Sequence, residues 1–305
     1  MYLKFFLKSK ILFAIFFPLS GITLTSSTEI PHSAFNHFAK KETFKSCVLP
    51  DNISLPIIRI AAFIFLLLAF FIVNKNMNFE SELISGVLIK RYKRFFVDIK
   101  VKNKIITAHC PNSGSMMGLL KKGNKVWFTE SQNQKRKLKY TIQIIEVDGN
   151  KVGVNTHLTN KIVLEALKKN YIKEFSSSLK INPEQKFGDK TRFDFLLDDN
   201  NSKSFLEVKN VTLVRNKGTA EFPDAVTERG KKHLNELIKA VQLGYKSYLL
   251  FVIQREDCKT FKIASDIDVE YSEILTKSIR KNVKILCYDC KFYSKGIKLN
   301  RQIKF

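Results

Sequence analysis

Hydrophobic and polar positions along the chain follow different periods in different regions. After residue 76 and before residue 156, short runs alternate apolar and polar residues with a period of two, and turn-forming residues separate them. Such runs are typical of half-buried β-strands, so this region predicts a small barrel. The runs cover residues 86–90, 94–100, 104–109, 126–130, 141–147 and 151–155.

Beyond residue 155 the pattern changes to amphipathic helices interrupted by strands. A first helix is predicted from a cap at Thr159 or Asn160 to about residue 170, with four residues facing inward: Ile162, Val163, Ala166 and Leu167. A second is predicted from apolar residues at positions 234, 237, 238 and 241, closed by Gly244. The continuous apolar run 248–253 predicts a strand buried on both faces, and residues 281–288 predict a last strand.

Between these helices, two apolar runs at residues 193–197 and 205–214 flank a segment of turn formers, 198–202, which predicts a β-hairpin. If the hairpin closes symmetrically between Asn200 and Asn201, Asp194 lies opposite Glu207. Lys209 then points to the same face as Glu207, because strand side chains alternate.

Two facing carboxylates repel each other unless a cation lies between them. Asp194 and Glu207 are therefore candidate ligands of Mg²⁺, with Lys209 beside them to orient a water molecule or offset developing charge. This chemistry suits phosphodiester hydrolysis. The alternative is a surface hairpin in which Asp194 pairs with Arg192 or Lys209.

The composition and net charge indicate which classes of molecule the protein can bind. The 305 residues are 45% hydrophobic and 26% charged, and 52 Lys and Arg against 28 Asp and Glu give a net charge of +24, which favours nucleic acid or an anionic membrane surface. The predicted barrel carries two clusters that mix basic and aromatic residues, a combination that holds nucleic-acid strands, although a solvated basic edge is the alternative. The candidate DNA-binding residues there are Arg91, Tyr92, Lys93, Arg94, Lys135, Arg136 and Lys137.

The second predicted helix starts with Thr227, Arg229, Lys232 and His233 in its first turns. Its N-terminus can meet a phosphate with Arg229 as a charge clamp, or these residues form a solvated basic face. The five cysteines are too few and too scattered for a disulfide framework, which favours a reducing, cytoplasmic compartment.

Residues 1–76 form a hydrophobic extension with a signal-like start and a second apolar run, 55–73, long enough to reach across a bilayer. If the extension is genuine, the protein is tethered to a membrane. Alternatively, the extension is spurious or lineage-specific, and Met77 is the start of a protein without a membrane partner.

Four segments together resemble the sugar fermentation stimulation protein A (SfsA) family: ITAHCPNSGSM ending at Met116, VGVNTHL ending at Leu158, FLEVKNVTLV ending at Val214, and the long run from Gly218 to Arg255. The resemblance covers about the last three quarters of the chain. It implies an oligonucleotide-binding (OB) barrel at 77–150, an α/β domain like the PD-(D/E)xK nucleases at 151–305, and DNA as the partner. It also implies a nuclease signature at Asp194, Glu207 and Lys209, with Glu165 as an upstream helical carboxylate.

The sequence therefore supports two hypotheses. The first is a DNA-binding protein with a Mg²⁺-dependent deoxyribonuclease site formed by Glu165, Asp194, Glu207 and Lys209. The second is a DNA-binding regulator of sugar metabolism of the maltose type that does not cleave, since a fold does not fix an activity.

Overall fold

The predicted barrel is present as a sheet that closes on itself. The computed structural model describes residues 77–188 and 191–305. Each predicted run contributes one strand: β1 (Ile84–Tyr92), β2 (Phe96–Val101), β3 (Lys104–His109), β4 (Lys125–Glu130), β5 (Tyr140–Val147) and β6 (Asn150–Gly153). The strand order is β3-β2-β1-β4-β5-β6, and a parallel pairing of β3 with β5 at Ala108 and Tyr140 closes the barrel.

Alternation along the strands builds the barrel interior. In β2, Val97 and Ile99 are fully buried while Lys100 faces solvent. The same alternation places Leu88 and Phe128 inside, against the β2 side chains. Burying each of these apolar side chains contributes about 1.5–3 kcal/mol.

The rest of the described chain is an α/β domain. Its main sheet has the order β15-β14-β12-β9-β8-β7, in which β9, β12 and β14 are parallel and the outer pairs are antiparallel. The strands are β7 (Lys180–Phe187), β8 (Thr191–Asp198), β9 (Lys203–Val211), β12 (Lys246–Ile253), β14 (Lys284–Tyr293) and β15 (Gly296–Gln302). A small second sheet contains β10 (Leu213–Asn216), β11 (Thr219–Phe222) and β13 (Thr260–Ile263), and the helices are α1 (Thr159–Lys168), α2 (Glu228–Gln242) and α3 (Val269–Arg280).

Helices cover both faces of the main sheet, which gives the domain two hydrophobic cores. Strand β12 contributes side chains to both cores. Leu250 and Val252 pack in the cluster that contains the inward residues of α1. Leu249 and Phe251 pack in the opposite cluster with α2 and α3. A strand covered on both faces needs apolar residues at every position, which explains the continuous apolar run of β12.

The first helix begins differently from the prediction. Thr159 and Asn160 lie inside α1 and neither caps it, because a short 3-10 helix (Thr156–Leu158) precedes α1 directly. Asn155 caps that 3-10 turn by accepting a hydrogen bond from the backbone N–H of His157. Asn160, the second of the two predicted cap residues, instead directs its side chain to the site described below.

The β8–β9 hairpin has the predicted register. Phe195 pairs with Leu206, and Asp198 pairs with Lys203 next to the turn. The turn is stabilised by Asp199 Oδ1, which accepts backbone hydrogen bonds from Asn201 at 3.0 Å and Ser202 at 2.6 Å. Residues 194 and 207 therefore occupy the next facing positions, just beyond the last backbone pair.

Residues 1–76 lie outside the described residues. They include the signal-like start and the apolar run at 55–73, and the choice between Met1 and Met77 depends on them. In the described part of the chain, no helix combines the length and apolar character needed to cross a membrane.

Candidate active site

The candidate site lies where β8 separates from β9. Backbone pairing of the two strands ends at Phe195 and Leu206. Beyond that pair, the backbone N–H of Val208 donates to Asp194 Oδ2 at 2.8 Å. The Asp194 carboxylate thus accepts a hydrogen bond that a backbone carbonyl of the neighbouring strand would otherwise accept, and this bond fixes the position of Oδ2.

The second oxygen of Asp194 is fixed by the first helix. The side-chain amide of Asn160 donates to Asp194 Oδ1 at 2.7 Å. Burial and, after it, the negative charge of Glu207 together raise the pKa of the Asp194 carboxyl to about 6, against the opposing effect of these two hydrogen bonds. The influence of Glu207 agrees with the predicted approach of the two carboxylates.

Glu207 is buried, with 3% of its surface exposed. Lys209 Nζ donates to Glu207 Oε1 at 2.6 Å, so the ammonium reaches the same site as the sequence predicts. Burial favours a high pKa for the Glu207 carboxyl, but the charge of Lys209 and the hydrogen bond from His233 outweigh it and hold the pKa below its usual value. Glu207 is therefore an anion in the neutral pH range.

His233 belongs to the site, although the sequence predicts a phosphate-facing or solvated helix face for it. Its imidazole is 6% exposed, and Nδ1 contacts Glu207 Oε1. The sequence does carry a signal for this position. His233 stands four residues before Leu237 and seven before Ala240, both buried, which is the spacing of an inward helix face.

Glu165, the expected helical carboxylate, lies apart from the pair. Its Oε2 accepts from the backbone N–H of Met77, and its Oε1 pairs with Lys169 Nζ at 2.9 Å. Asn160 and Glu165 are five residues apart on a helix, about 140° around its axis, so only one of them can face Asp194. The structure gives that position to Asn160.

Asp194 and Glu207 are the two carboxylates at this site that could contribute oxygen ligands to a small divalent cation. Glu207 Oε2 is buried and has no hydrogen-bond partner among the described residues. The described residues contain no group of three or more His, Cys, Asp or Glu side chains placed to hold a metal. Mg²⁺ commonly uses only one or two carboxylates and completes its shell with water and phosphate oxygens, so two are sufficient.

The expected DNA-binding residues of the barrel divide into structural and exposed ones. Arg91 is structural, because its guanidinium donates to the carbonyls of Asn112 at 2.7 Å and Gly114 at 3.0 Å and so holds the 112–115 loop. The Tyr92 hydroxyl donates to Asp98, and its ring stacks on Phe96 at 5.6 Å. The exposed residues are Lys93, Arg94, Lys135, Lys137 and, at the start of α2, Arg229.

The two basic clusters of the barrel meet at one end of it. His109 pairs with Phe96 and Thr141 across neighbouring strands. Arg136 Nη2 donates to Thr141 Oγ1 at 3.1 Å, and the ring of Phe95, 41% exposed, lies 6.3 Å from the His109 ring. Burial lowers the pKa of His109, and the nearby charge of Arg136 lowers it further. Phe95 of the first cluster and Arg136 of the second are therefore linked through the neighbouring strand residues His109 and Thr141.

This end of the barrel connects with the α/β domain through the loop after β3. Thr156, at the start of the 3-10 turn before α1, donates from its hydroxyl to the carbonyl of Pro111 at 2.7 Å. A cavity of about 150 Å³ lies between this loop and the end of β9, and its lining includes Asn112, Thr156 and Asn210, the residue after Lys209. The barrel loop and the carboxylate strand thus border one space.

Comparisons with known proteins agree with this architecture. Residues 89–154 match the family model described as the SfsA N-terminal OB domain, and residues 157–296 match the sugar fermentation stimulation protein RE domain. A sugar fermentation stimulation protein homolog of Pelagibacter ubique is 55% identical over 75% of this chain and 98% of its own length. A homolog of Bartonella tribocorum is 43% identical over 72% and 94%, respectively.

A solved structure has the same fold. The structure of Pyrococcus furiosus SfsA in complex with Ca²⁺ superposes with a TM-score of 0.69 at 23% identity, over 75% of this chain and 97% of that one. The predicted fold class, an OB barrel followed by an α/β domain, is confirmed. With both family models matched in order and relatives aligned over nearly their full length, the chain belongs to the sugar fermentation stimulation protein (SfsA) family.

Proposed function

We propose that the protein binds DNA and cleaves it with the help of Mg²⁺ held by Asp194 and Glu207. The observation that carries the proposal is the convergence of three groups at the end of one hairpin. Asp194 accepts from the backbone N–H of Val208, the residue after Glu207; Lys209 donates to Glu207; and one buried Glu207 oxygen has no partner among the described residues. A surface hairpin has no reason to bury an unpaired carboxylate oxygen, which costs free energy.

Asp194 and Glu207 would hold the Mg²⁺, which would supply Lewis-acid chemistry for a phosphoryl oxygen and a water molecule. The protein's own groups orient the metal ligands and the reacting water. Asn160 and the Val208 N–H hold the two oxygens of Asp194 in place. The Lys209 ammonium, on a flexible stem beside Glu207, orients the attacking water or offsets charge on the phosphorane oxygens.

The barrel end is the proposed DNA surface. It places the exposed Lys93, Arg94 and Phe95 next to Arg136 and His109, which offers charge for phosphates and rings for bases. The chain's net charge of +24 acts in the same direction. Its relative from Pyrococcus furiosus was solved with Ca²⁺, another divalent ion that takes oxygen ligands.

The proposal is tested by incubating purified protein with Mg²⁺ or Mn²⁺ and a mixture of linear, circular and single-stranded DNA. We expect metal-dependent cleavage that chelation by EDTA stops. Glu207→Gln and Lys209→Ala are each expected to lower the cleavage rate at least 100-fold, since each removes a group that acts on the developing charge.

Glu165→Gln is the matched control, because Glu165 is a helical carboxylate of the same domain that faces Met77 and Lys169. It is expected to keep the wild-type rate. DNA binding without cleavage under either metal would contradict the nuclease proposal and support the non-cleaving regulator. Equal loss of activity in all three variants would indicate damage to the domain.

A further inference from the structure

We propose that His233 is the positioning residue that holds Glu207 in its metal-binding orientation, an inference that rests on the proposed metal site. His233 comes from α2, on the far side of the sheet from the helix that holds Asp194. Each carboxylate of the pair is thus oriented by a different helix. Asn160 of α1 holds Asp194, and His233 of α2 holds Glu207.

The two oxygens of Glu207 have unequal environments. Oε1 accepts from Lys209 Nζ at 2.6 Å and also contacts His233 Nδ1. A carboxylate oxygen has two lone pairs, so these contacts occupy Oε1 fully. Oε2 is buried without a partner among the described residues, and it is the oxygen left for a cation.

His233 is the more permanent of the two Oε1 partners. Its imidazole is 6% exposed, and the ring of Phe193 meets it edge-on at 6.4 Å with an interplanar angle of 75°. Lys209, by contrast, has a flexible stem and a second proposed role at the water molecule or phosphate. When its ammonium turns to the substrate, the His233 contact alone keeps Oε1 in place.

The contact requires a hydrogen atom on Nδ1, because the Glu207 carboxylate accepts and cannot donate. This gives a specific test. An asparagine side chain places an amide N–H near the position of a histidine Nδ1, whereas a glutamine reaches further, towards the position of Nε2. We therefore expect His233→Asn to preserve the orientation of Glu207 and His233→Gln and His233→Leu to lose it.

The measurement is the Kd for Mn²⁺ without DNA, by calorimetry or by the electron paramagnetic resonance signal of free Mn²⁺. We expect His233→Leu and His233→Gln to raise the Kd about 10–100-fold, the usual effect of removing a partner of a metal ligand. His233→Asn is expected to stay within about threefold of wild type, since it keeps the hydrogen bond. Leu237→Val, on the same buried helix face, controls for loosened packing and is expected to leave the Kd unchanged.

The outcomes separate this inference from the proposed function. If the wild type binds Mn²⁺ and all three His233 variants bind it equally well, the positioning role is wrong while the metal site stands. If Leu237→Val weakens binding as much as His233→Leu, the effect is one of packing, and the positioning role is again refuted. If the wild type binds no Mn²⁺ at millimolar concentration, the metal site itself is refuted and the inference with it.

Discussion

Replacing Asp194 by asparagine should stabilise the metal-free protein at neutral pH while abolishing its proposed activity. The pKa of the Asp194 carboxyl is raised from 3.8 to about 6, first by burial and then by the charge of Glu207. Each pKa unit corresponds to about 1.4 kcal/mol. Keeping Asp194 ionised in the folded protein therefore costs about 3 kcal/mol at pH 7, and a neutral asparagine avoids this cost.

The sign of the pH dependence follows from proton binding. Between pH 3.8 and about 6 the folded state holds the Asp194 proton more tightly than the unfolded state. The wild type thus loses stability as pH rises through this window. Near pH 4 Asp194 is protonated, so Asp194→Asn should differ from the wild type there only by the hydrogen bond that its NH2 group cannot accept. Between pH 4 and pH 7 the difference should shift by about 3 kcal/mol in favour of asparagine.

Urea unfolding of both proteins from pH 4 to pH 7.5 in EDTA measures this difference. A difference in unfolding free energy that stays constant across the range would refute the assigned burial and repulsion at Asp194. Mn²⁺ at about 1,000 times its Kd should reverse the order at pH 7, because such a ligand adds about 4.1 kcal/mol to the protein that binds it. Asp194→Asn lacks one ligand and should gain less.

Three further changes test the site and the barrel. Lys209→Ala should lose cleavage yet retain Mn²⁺ binding, measured by calorimetry, since the ammonium is not a metal ligand; loss of both would assign it a structural role. Arg91→Ala should destabilise the protein by about 2–4 kcal/mol in urea unfolding, because it removes charge-assisted hydrogen bonds to loop carbonyls, whereas the exposed Lys93→Ala should cost less than about 0.5 kcal/mol. Replacing Lys135 and Lys137 together by alanine should reduce the slope of log K against log salt for duplex DNA by about 2, and an unchanged slope would remove them from the phosphate contacts.

Local chemistry explains what the sequence predicts well. The β8–β9 register depends on turn formers at 198–202 and on alternation in the flanking strands, both of which are local. The same holds for the end of α2, where Gly244 takes a left-handed conformation with φ of 88°. Because neighbouring residues determine this geometry, the pattern predicts the register of the hairpin up to the pair of Phe195 with Leu206, next to Asp194 and Glu207.

The misplaced residues all depend on distant partners. Asn160 and Glu165 lie on opposite flanks of the buried stripe of α1, and the helical period alone does not say which flank meets β8. Arg91 reads as a nucleic-acid contact, but its carbonyl partners lie 21 and 23 positions further along the chain. His233 pairs with Glu207 across 26 positions, and only its place on the inward helix face indicates burial.

The central claim is that Asp194 and Glu207 together bind the divalent ion that acts on DNA. A crystal soaked in Mn²⁺ and recorded near the manganese absorption edge tests it most directly. We predict one anomalous peak in contact with Asp194 and with Glu207 Oε2, and no peak there in Glu207→Gln. A wild-type crystal saturated with Mn²⁺ whose peaks all lie away from these two carboxylates would contradict the claim.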